Sequence, residues 1–392
     1  MRTAIVHDWL TDSGGAEKVT RELVRLYNAD VLALVDFLNG ADRADILGGR
    51  RARTTFIQRL PFARRFFRWY LPLFAGAIEK LDLRGYDLIL SSSYAVAKGV
   101  LKHPGQKHVC YIHTPMRYAH VDEEGYLRDH GMRSWKAGII RRVMRRMRAW
   151  DIANSARVDR FIANGANVRE RVRRIYGRDA DVVLPPVDPD VFTLYEGRRE
   201  GYLVVSRLVP YKRIDRIIAA FLELPDQRLT VVGGGPEAQR LRALAGPNVT
   251  FTGFLPPEQL VERMQRAKAL VCAANEDLGL TVLEAQACGT PVIALRGGGY
   301  LETVNEQHGG GLFATDAPAD IRAAVLRHEQ RATPPDPVRL RASMEPYFRA
   351  RFAERIRAIV DEVMRGGTTD KALPPDGGTA QKEQRMHTDG HG

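Results

Sequence analysis

Two acidic residues eight positions apart, Glu276 and Glu284, stand in the stretch NEDLGLTVLEAQACGTPVIA at residues 275–294. Glu276 falls in the loop after the apolar run ALVCAA, while Glu284 falls inside the helix that Thr281 begins and Cys-Gly-Thr-Pro closes. Four helical positions make about one turn, so Glu284 returns to the side of that loop. One carboxylate can then accept hydrogen bonds from the hydroxyls of a sugar and the other from those of a ribose. The residues around Glu284 are otherwise apolar or small, and a charge among packing residues needs a partner. Cations stand in VSRLVPYKRID, where Arg207 follows a strand and Lys212 comes at the next helix start. A helix N-terminus favours an anion, so two cations held there suggest a diphosphate, gripped in a plane by arginine and as a point charge by lysine. A surface salt bridge is the plain alternative.

Three further loops carry chemistry-bearing types. HDWLTDSGGAEK offers Gly14 and Gly15 at a helix start, where backbone N–H groups can approach an anion. YIHTPMRY ends an apolar strand with His113, and Pro115 forces a turn. ALRGGGYLETV gives another glycine turn, with Gly298 and Gly299 as a nest of N–H donors. Neither a GxxxxGK[ST] loop nor a GxGxxG after the first strand is present. No Asp-x-Asp stands at a strand end, since DPD at 188–190 lies in a linker, and no required metal is inferred.

The elements that must position these residues follow a simple rhythm. Short apolar runs alternate with helical periods: TAIVHD, DVLALV, YDLILSS, KHVCYIHT and RFIANG in the first half, then GYLVVSRL, RLTVVGGG, NVTFTGF, ALVCAA and PVIAL in the second. That is the pattern of two α/β units, each a parallel sheet with helices on both faces. A chain of 392 residues also suits two domains. We expect a first domain over 1–185, a linker at 186–200, a second domain over 201–340, helices at 341–365 that return to the first domain, and a disordered tail over 366–392. Ligands of such sheets bind beyond the carboxyl ends of the strands, in the cleft between the domains.

The formal charge of +12 calls for an anionic partner. The helix period of residues 133–150 places Ile139, Val143, Met147 and Trp150 on one stripe, ringed by arginines, as in a helix lying on an anionic membrane or in an ordinary amphipathic helix whose arginines are solvated. In residues 56–74 aromatics and arginines alternate as interfacial anchors do. No nucleic-acid motif accompanies these patches. The first residues lack the long apolar centre of a signal peptide, and no window reaches about eighteen uninterrupted apolar residues. The three cysteines, Cys110, Cys272 and Cys288, are widely spaced, which suits a reducing compartment.

Together these residues resemble the retaining glycosyltransferases of family 4, of GT-B fold: two Rossmann-like domains facing across a cleft, with a C-terminal helix packing back on the first. The resemblance rests on GGAEK, HTPMRY, SRLVPYKRID, GGGPE, the Glu-x7-Glu pair and Gly298, Gly299 and Glu302 of the last glycine turn, and runs from residue 1 to about 365. HTPMRY preceded by SSSYAVAKGV looks most like bacterial mannosyltransferases that assemble polysaccharide repeat units on a lipid carrier. The resemblance implies that Arg207 and Lys212 bind the nucleotide diphosphate and Glu284 the ribose. It implies that Glu276, with the N–H groups of Gly279 and Leu280, holds the hexose. His113 would lie beside the anomeric centre, with Gly14 and Gly15 bordering the diphosphate and acceptor. Leu278 stands where the family often has Phe, which bears on donor selectivity. The expected donor is GDP-mannose, with no cofactor or metal, and the expected acceptor is a lipid-linked or polysaccharide hydroxyl. The site would be cytoplasmic, peripheral on the inner face of the membrane through residues 56–74 and 133–150. A GT-B sugar-nucleotide epimerase and a basic nucleic-acid-binding protein are the rival readings.

Overall fold

The computed structural model describes residues 1–120 and 135–367. Its first sheet holds β1 (Thr3–His7), β2 (Asp30–Ala33), β3 (Arg53–Thr54), β4 (Leu88–Ser93), β5 (Lys107–Ile112), β6 (Arg160–Ala163) and β7 (Asp181–Val182), and its second β8 (Tyr202–Val205), β9 (Leu229–Val232), β10 (Val249–Gly253), β11 (Ala269–Cys272), β12 (Val292–Leu295) and β13 (Gly311–Phe313). The spatial orders are 3-2-1-4-5-6-7 and 10-9-8-11-12-13. The central pairs are parallel, with Ile5 beside Leu90 and Leu203 beside Leu270. Both halves of the chain therefore build the expected α/β unit. In each, the order reverses at one point, between β1 and β4 and between β8 and β11, and opens a crevice there.

Strands covered on both faces carry continuous apolar runs rather than alternation. Ala4 and Val6 enter one core, together with Phe67, Phe74 and Met144. Ile5 enters another, with Leu23, Leu88 and residues of the last helix. Several polar exceptions lie at the carboxyl ends of the central strands, where His7, Ser91, Ser92 and Ser93 are all buried. Asp8 is also fully buried, where it accepts the N–H groups of Tyr94, Ala95, Val96 and Ala97. Desolvation pushes its pKa up, against the opposing pull of His7 and those N–H donors.

The last helix does pack back on the first domain. Phe352, Ile356, Ile359, Val360 and Val363 share its buried stripe, and Tyr111 lies edge-on to Phe352. Within the expected helical stretch 341–365 the structure has a 3-10 turn at Glu345–Tyr347 and a helix at Arg349–Met364. Between them the chain stays extended at Phe348 because it pairs with Val187: the Val187 N–H donates to the Tyr347 carbonyl at 2.8 Å, and the Arg349 N–H to the Val187 carbonyl at 3.1 Å. The Arg349 side chain binds Asp188 and Asp190 of the linker.

One expectation about the surface needs correction. The helix Trp135–Asn154 buries Met144 and Met147 in the first-domain core, with Ile140, Val143 and Trp150 packed against it. The Trp150 ring occupies the space that a Cβ on Gly99 would need, 2.3 Å away. The described part of its apolar stripe thus faces protein and is not free to enter a lipid surface, while Arg141, Arg142, Arg145 and Arg146 are exposed. The side chain of Ile139, and residues 133–134, lie outside the described residues. Residues 56–74 differ: Phe62 is 80% exposed and Trp69 76%. Among the described residues, no helix is long and apolar enough to cross a membrane.

His108 of β5 is fully buried against the Ser91 hydroxyl at 2.8 Å, and burial pushes its pKa down to about 3. Because this lies below the unfolded value of about 6.5, the neutral ring supports the fold fully above that pH, and the support fades as pH falls towards the folded value. The stability difference between wild type and His108→Gln should therefore shrink by about 2 kcal/mol from pH 7 to pH 5 in urea titrations. A difference independent of pH would contradict a neutral buried imidazole.

Candidate functional site

A cavity of about 240 Å³ lies at the crevice of the second sheet, lined by Ser206, Lys212, Glu276, Leu280 and Tyr300, with Gly15 of the first domain on its far wall. Lys212 closes the turn Pro210–Lys212, after which Arg213 takes a left-handed conformation at φ 55° and the helix Ile214–Leu222 begins. Its ammonium binds Glu276 Oε1 and lies 5.3 Å from the Tyr211 ring centre. Burial opposes the charge on Lys212, but Glu276 and then Tyr211 more than offset it and raise its pKa. The cavity thus holds a fixed cation next to a carboxylate.

Glycines keep this loop in place. Gly279 sits at φ +84°, and a Cβ there would lie 2.5 Å from the Tyr300 ring. Cβ atoms on Gly298 and Gly299 would lie 2.2 and 2.3 Å from the carbonyls of Glu276 and Asp277. The Gly299 N–H already donates to the Glu276 carbonyl at 2.8 Å. Gly298 and Gly299 therefore let two loops stack, and the Gly299 donor that the sequence suggested for an anion is engaged. In the first turn of the helix Leu280–Ala287 the Val282 N–H donates to the Gly279 carbonyl at 2.9 Å, which leaves those of Leu280 and Thr281, both cavity-lining residues, without an acceptor within the helix.

Glu284 sits one turn into that helix, 4% exposed. Its partner comes from the other domain: the Lys18 ammonium, from the helix Gly15–Tyr27, binds Glu284 Oε1 and lies 5.7 Å from the Phe192 ring centre. Gly15, beside it, faces Leu280, whose Cδ2 would be 3.7 Å from a Cβ at position 15. The Gly14 N–H is held by Glu17 Oε2 at 3.0 Å. The other oxygen of Glu17 is 3.1 Å from His7 Nε2. His7 Nδ1 is 3.2 Å from the Ser92 hydroxyl, and that hydroxyl is 2.9 Å from His113 Nε2. A line of hydrogen bonds thus joins the Gly14 turn to His113. Burial, and then the nearby His7, push the pKa of His113 down to about 3, so its ring is neutral near pH 7.

Both halves of the chain match known glycosyltransferase models. Residues 13–191 match the family model described as Glycosyltransferase Family 4, and residues 193–345 match the one described as Glycosyl transferases group 1. The chain thus carries a glycosyltransferase family 4 domain followed by a glycosyl transferases group 1 domain. It is 35% identical over 205 residues to a D-inositol 3-phosphate glycosyltransferase of Acidothermus cellulolyticus, covering 44% of this chain and 46% of that protein. It is 36% identical over 184 residues to a GDP-mannose-dependent alpha-(1-6)-phosphatidylinositol monomannoside mannosyltransferase of Mycolicibacterium smegmatis, covering 39% and 48%. The chain spans about half the length of the curated relatives it matches. Anabaena Alr3699/HepE in complex with UDP-glucose superposes with a TM-score of 0.68 at 17% identity over 92% of this chain and 100% of that one. Sucrose-phosphate synthase from Thermosynechococcus elongatus gives 0.68 at 17% over 93% and 100%. These likenesses fix the fold as GT-B.

Of the residues singled out from the sequence, Lys212, Glu276, Gly279 and Leu280 line the cavity with Gly15, whereas Glu284 is not among its lining residues and is held by Lys18. Arg207 does not join them: it is exposed, one residue beyond the cavity wall at Ser206, and has no ion pair with a described carboxylate. Lys18, Glu17, His7 and Ser92 were not singled out from the sequence. The signals were present as a histidine ending an apolar strand, three consecutive serines ending another, and the charged pair of GGAEK. The Lys18–Glu284 contact is testable by a double-mutant cycle of Lys18→Met and Glu284→Gln. A coupling on the order of 1 kcal/mol is expected in chemical denaturation. Strict additivity would contradict direct pairing.

Proposed function

We propose that the protein transfers a hexose, with retention of configuration, from a nucleoside-diphosphate sugar to a hydroxyl of a lipid-linked acceptor at an anionic membrane surface. The observation that carries this reading is the Lys212–Glu276 pair on the wall of the interdomain cavity, opposite Gly15. In this reading the diphosphate lies against Lys212 and the first turn of the helix Leu280–Ala287, and Arg207 folds over it from the rim. The ribose hydroxyls bind Glu284, and Glu276 holds the hexose. As the bond between the anomeric carbon and the diphosphate oxygen breaks, negative charge grows on that oxygen, and fixed positive groups stabilise it in place. The acceptor oxygen bonds to the anomeric carbon on the face that the diphosphate leaves, and the departing phosphate takes the acceptor's proton. Neutral His113, held by Ser92, would lie beside that carbon as a hydrogen-bonding group. The glutamates bind and orient; they are not the acid and nucleophile of a glycosidase. Lysine, arginine and helix N–H groups supply the positive charge, so the reading needs no metal.

GDP-mannose as donor is supported by the GDP-mannose-dependent mycobacterial relative. The lipid surface is supported by Phe56, Phe62, Trp69 and Leu73, all exposed, among the exposed Arg59, Arg64, Arg65 and Arg68, with no acid between residues 46 and 78. Exposed aromatics among cations suit the headgroup layer of an anionic bilayer. Such docking would place the protein peripherally on the cytoplasmic face.

The donor is checked by thermal shift with GDP-mannose, UDP-glucose, UDP-N-acetylglucosamine and their nucleoside diphosphates. A ligand at a hundred times its Kd adds roughly 2.7 kcal/mol, so the donor should raise Tm in wild type and do so much less in Lys212→Ala. Equal Tm across the panel would refute the assignment. For the membrane, flotation with phosphatidylglycerol-rich liposomes at moderate salt should recover wild type in the lipid fraction and leave Phe62→Ser/Trp69→Ser below. A wild type that stays with the soluble fraction would contradict docking.

A further inference from the structure

The helix Ala166–Tyr176 of the first domain begins at Gly165, with extended backbone and no side chain to cap it. The N–H groups of a first helical turn have no acceptor within the helix and need one from elsewhere. Here the acceptor crosses the cleft: the Ala166 N–H donates to Glu302 Oε2 at 2.7 Å and the Asn167 N–H to Glu302 Oε1 at 2.8 Å. A carboxylate at the positive end of a helix, accepting two N–H bonds, is favoured by charge as well as by hydrogen bonding. A Cβ at position 165 would lie 3.1 Å from Glu302 Oε2 and 3.1 Å from Leu278 Cδ1, so the glycine that leaves the helix uncapped also makes room for the opposite domain.

Glu302 is tied to the donor loop by short connections. It belongs to the turn Tyr300–Thr303, which follows the glycines stacked on Glu276 and Asp277. Thr303 Oγ1 donates to the Leu278 carbonyl at 3.1 Å. The next residue of the same loop, Asp277, binds Arg171 of the capped helix. The loop that presents Glu276 is thus fastened to the first domain on both sides.

We propose that Glu302 is a positioning residue which, by capping the helix Ala166–Tyr176 across the cleft, holds the domains closed and the Glu276 loop in register with the first domain. The proposal rests on the reading of the cavity as the donor site for its kinetic consequence, but not for its structural one. Without the cap the closed form is one state among several. The apparent donor affinity falls by the closed fraction, and saturating donor restores closure.

The test compares wild type, Glu302→Gln, Glu302→Ala and Glu302→Ala/Gly165→Ser as full chains, by small-angle scattering, thermal unfolding and donor kinetics. Glu302→Ala should increase the radius of gyration and raise the donor KM roughly tenfold, with kcat within about twofold. Glu302→Gln, which keeps one acceptor, should fall between. Serine at the extended position 165 caps the helix from within its own domain, so the double variant should recover Tm but neither the compact form nor the donor KM. Recovery of all three by the serine would reduce Glu302 to a local helix cap and overturn the proposal. So would a radius and KM unchanged in Glu302→Ala. If wild type binds no nucleotide sugar, the donor reading fails, while scattering still decides the closure.

Discussion

A carboxylate enclosed by packing side chains needs a hydrogen-bonding or charged partner, and Glu284 is enclosed between buried Leu283 and Ala285. Lys18 provides that partner from the first domain. Removing one partner of such an enclosed pair leaves the other charge desolvated, which costs far more than the pair itself contributes. The cavity is therefore a property of two domains together. Within it, Glu276 is balanced by Lys212 in the same way. A ligand whose hydroxyls replace an ammonium on one carboxylate, while its phosphates meet the ammonium on the other, keeps every charge paired.

The same economy explains the polar ends of the central strands. Parallel strands buried on both faces leave polar side chains one useful place, the crevice where strand order reverses. In the first sheet that place is filled by His7, Ser92 and His113, connected to Glu17 and from there to the Gly14 turn. The neutral ring of His113 suits such a chain, because a neutral imidazole has one nitrogen that donates and one that accepts. The turn that faces Leu280 and the histidine of the strand end are thereby held by one set of bonds.

Much of this was legible beforehand, for identifiable reasons. Two α/β units follow from alternating apolar runs and helical periods, and Glu276, Glu284 and Lys212 stand out as charges at strand and helix ends. Lys18 did not stand out because its partner is 266 positions away, and no local pattern distinguishes it from a solvated lysine on an amphipathic helix. Gly299 was read as an anion donor because whether an N–H is already engaged depends on tertiary contacts. The stripe of the helix Trp135–Asn154 was ambiguous for a related reason: apolar spacing is the same whether the opposite surface is lipid or protein. Residues 56–74 divide their aromatics, with Phe67 and Phe74 in the core and Phe56, Phe62 and Trp69 outside.

The central claim is that fixed positive charge at the crevice of the second sheet receives a diphosphate while the acidic pair receives hydroxyls. A crystal structure of the chain with GDP or UDP tests it most directly. The account predicts phosphate oxygens within hydrogen-bonding distance of Lys212 Nζ and the first turn of the helix Leu280–Ala287, with the ribose on Glu284 in place of Lys18. A nucleotide bound elsewhere, with Lys212–Glu276 and Lys18–Glu284 both intact, would contradict it.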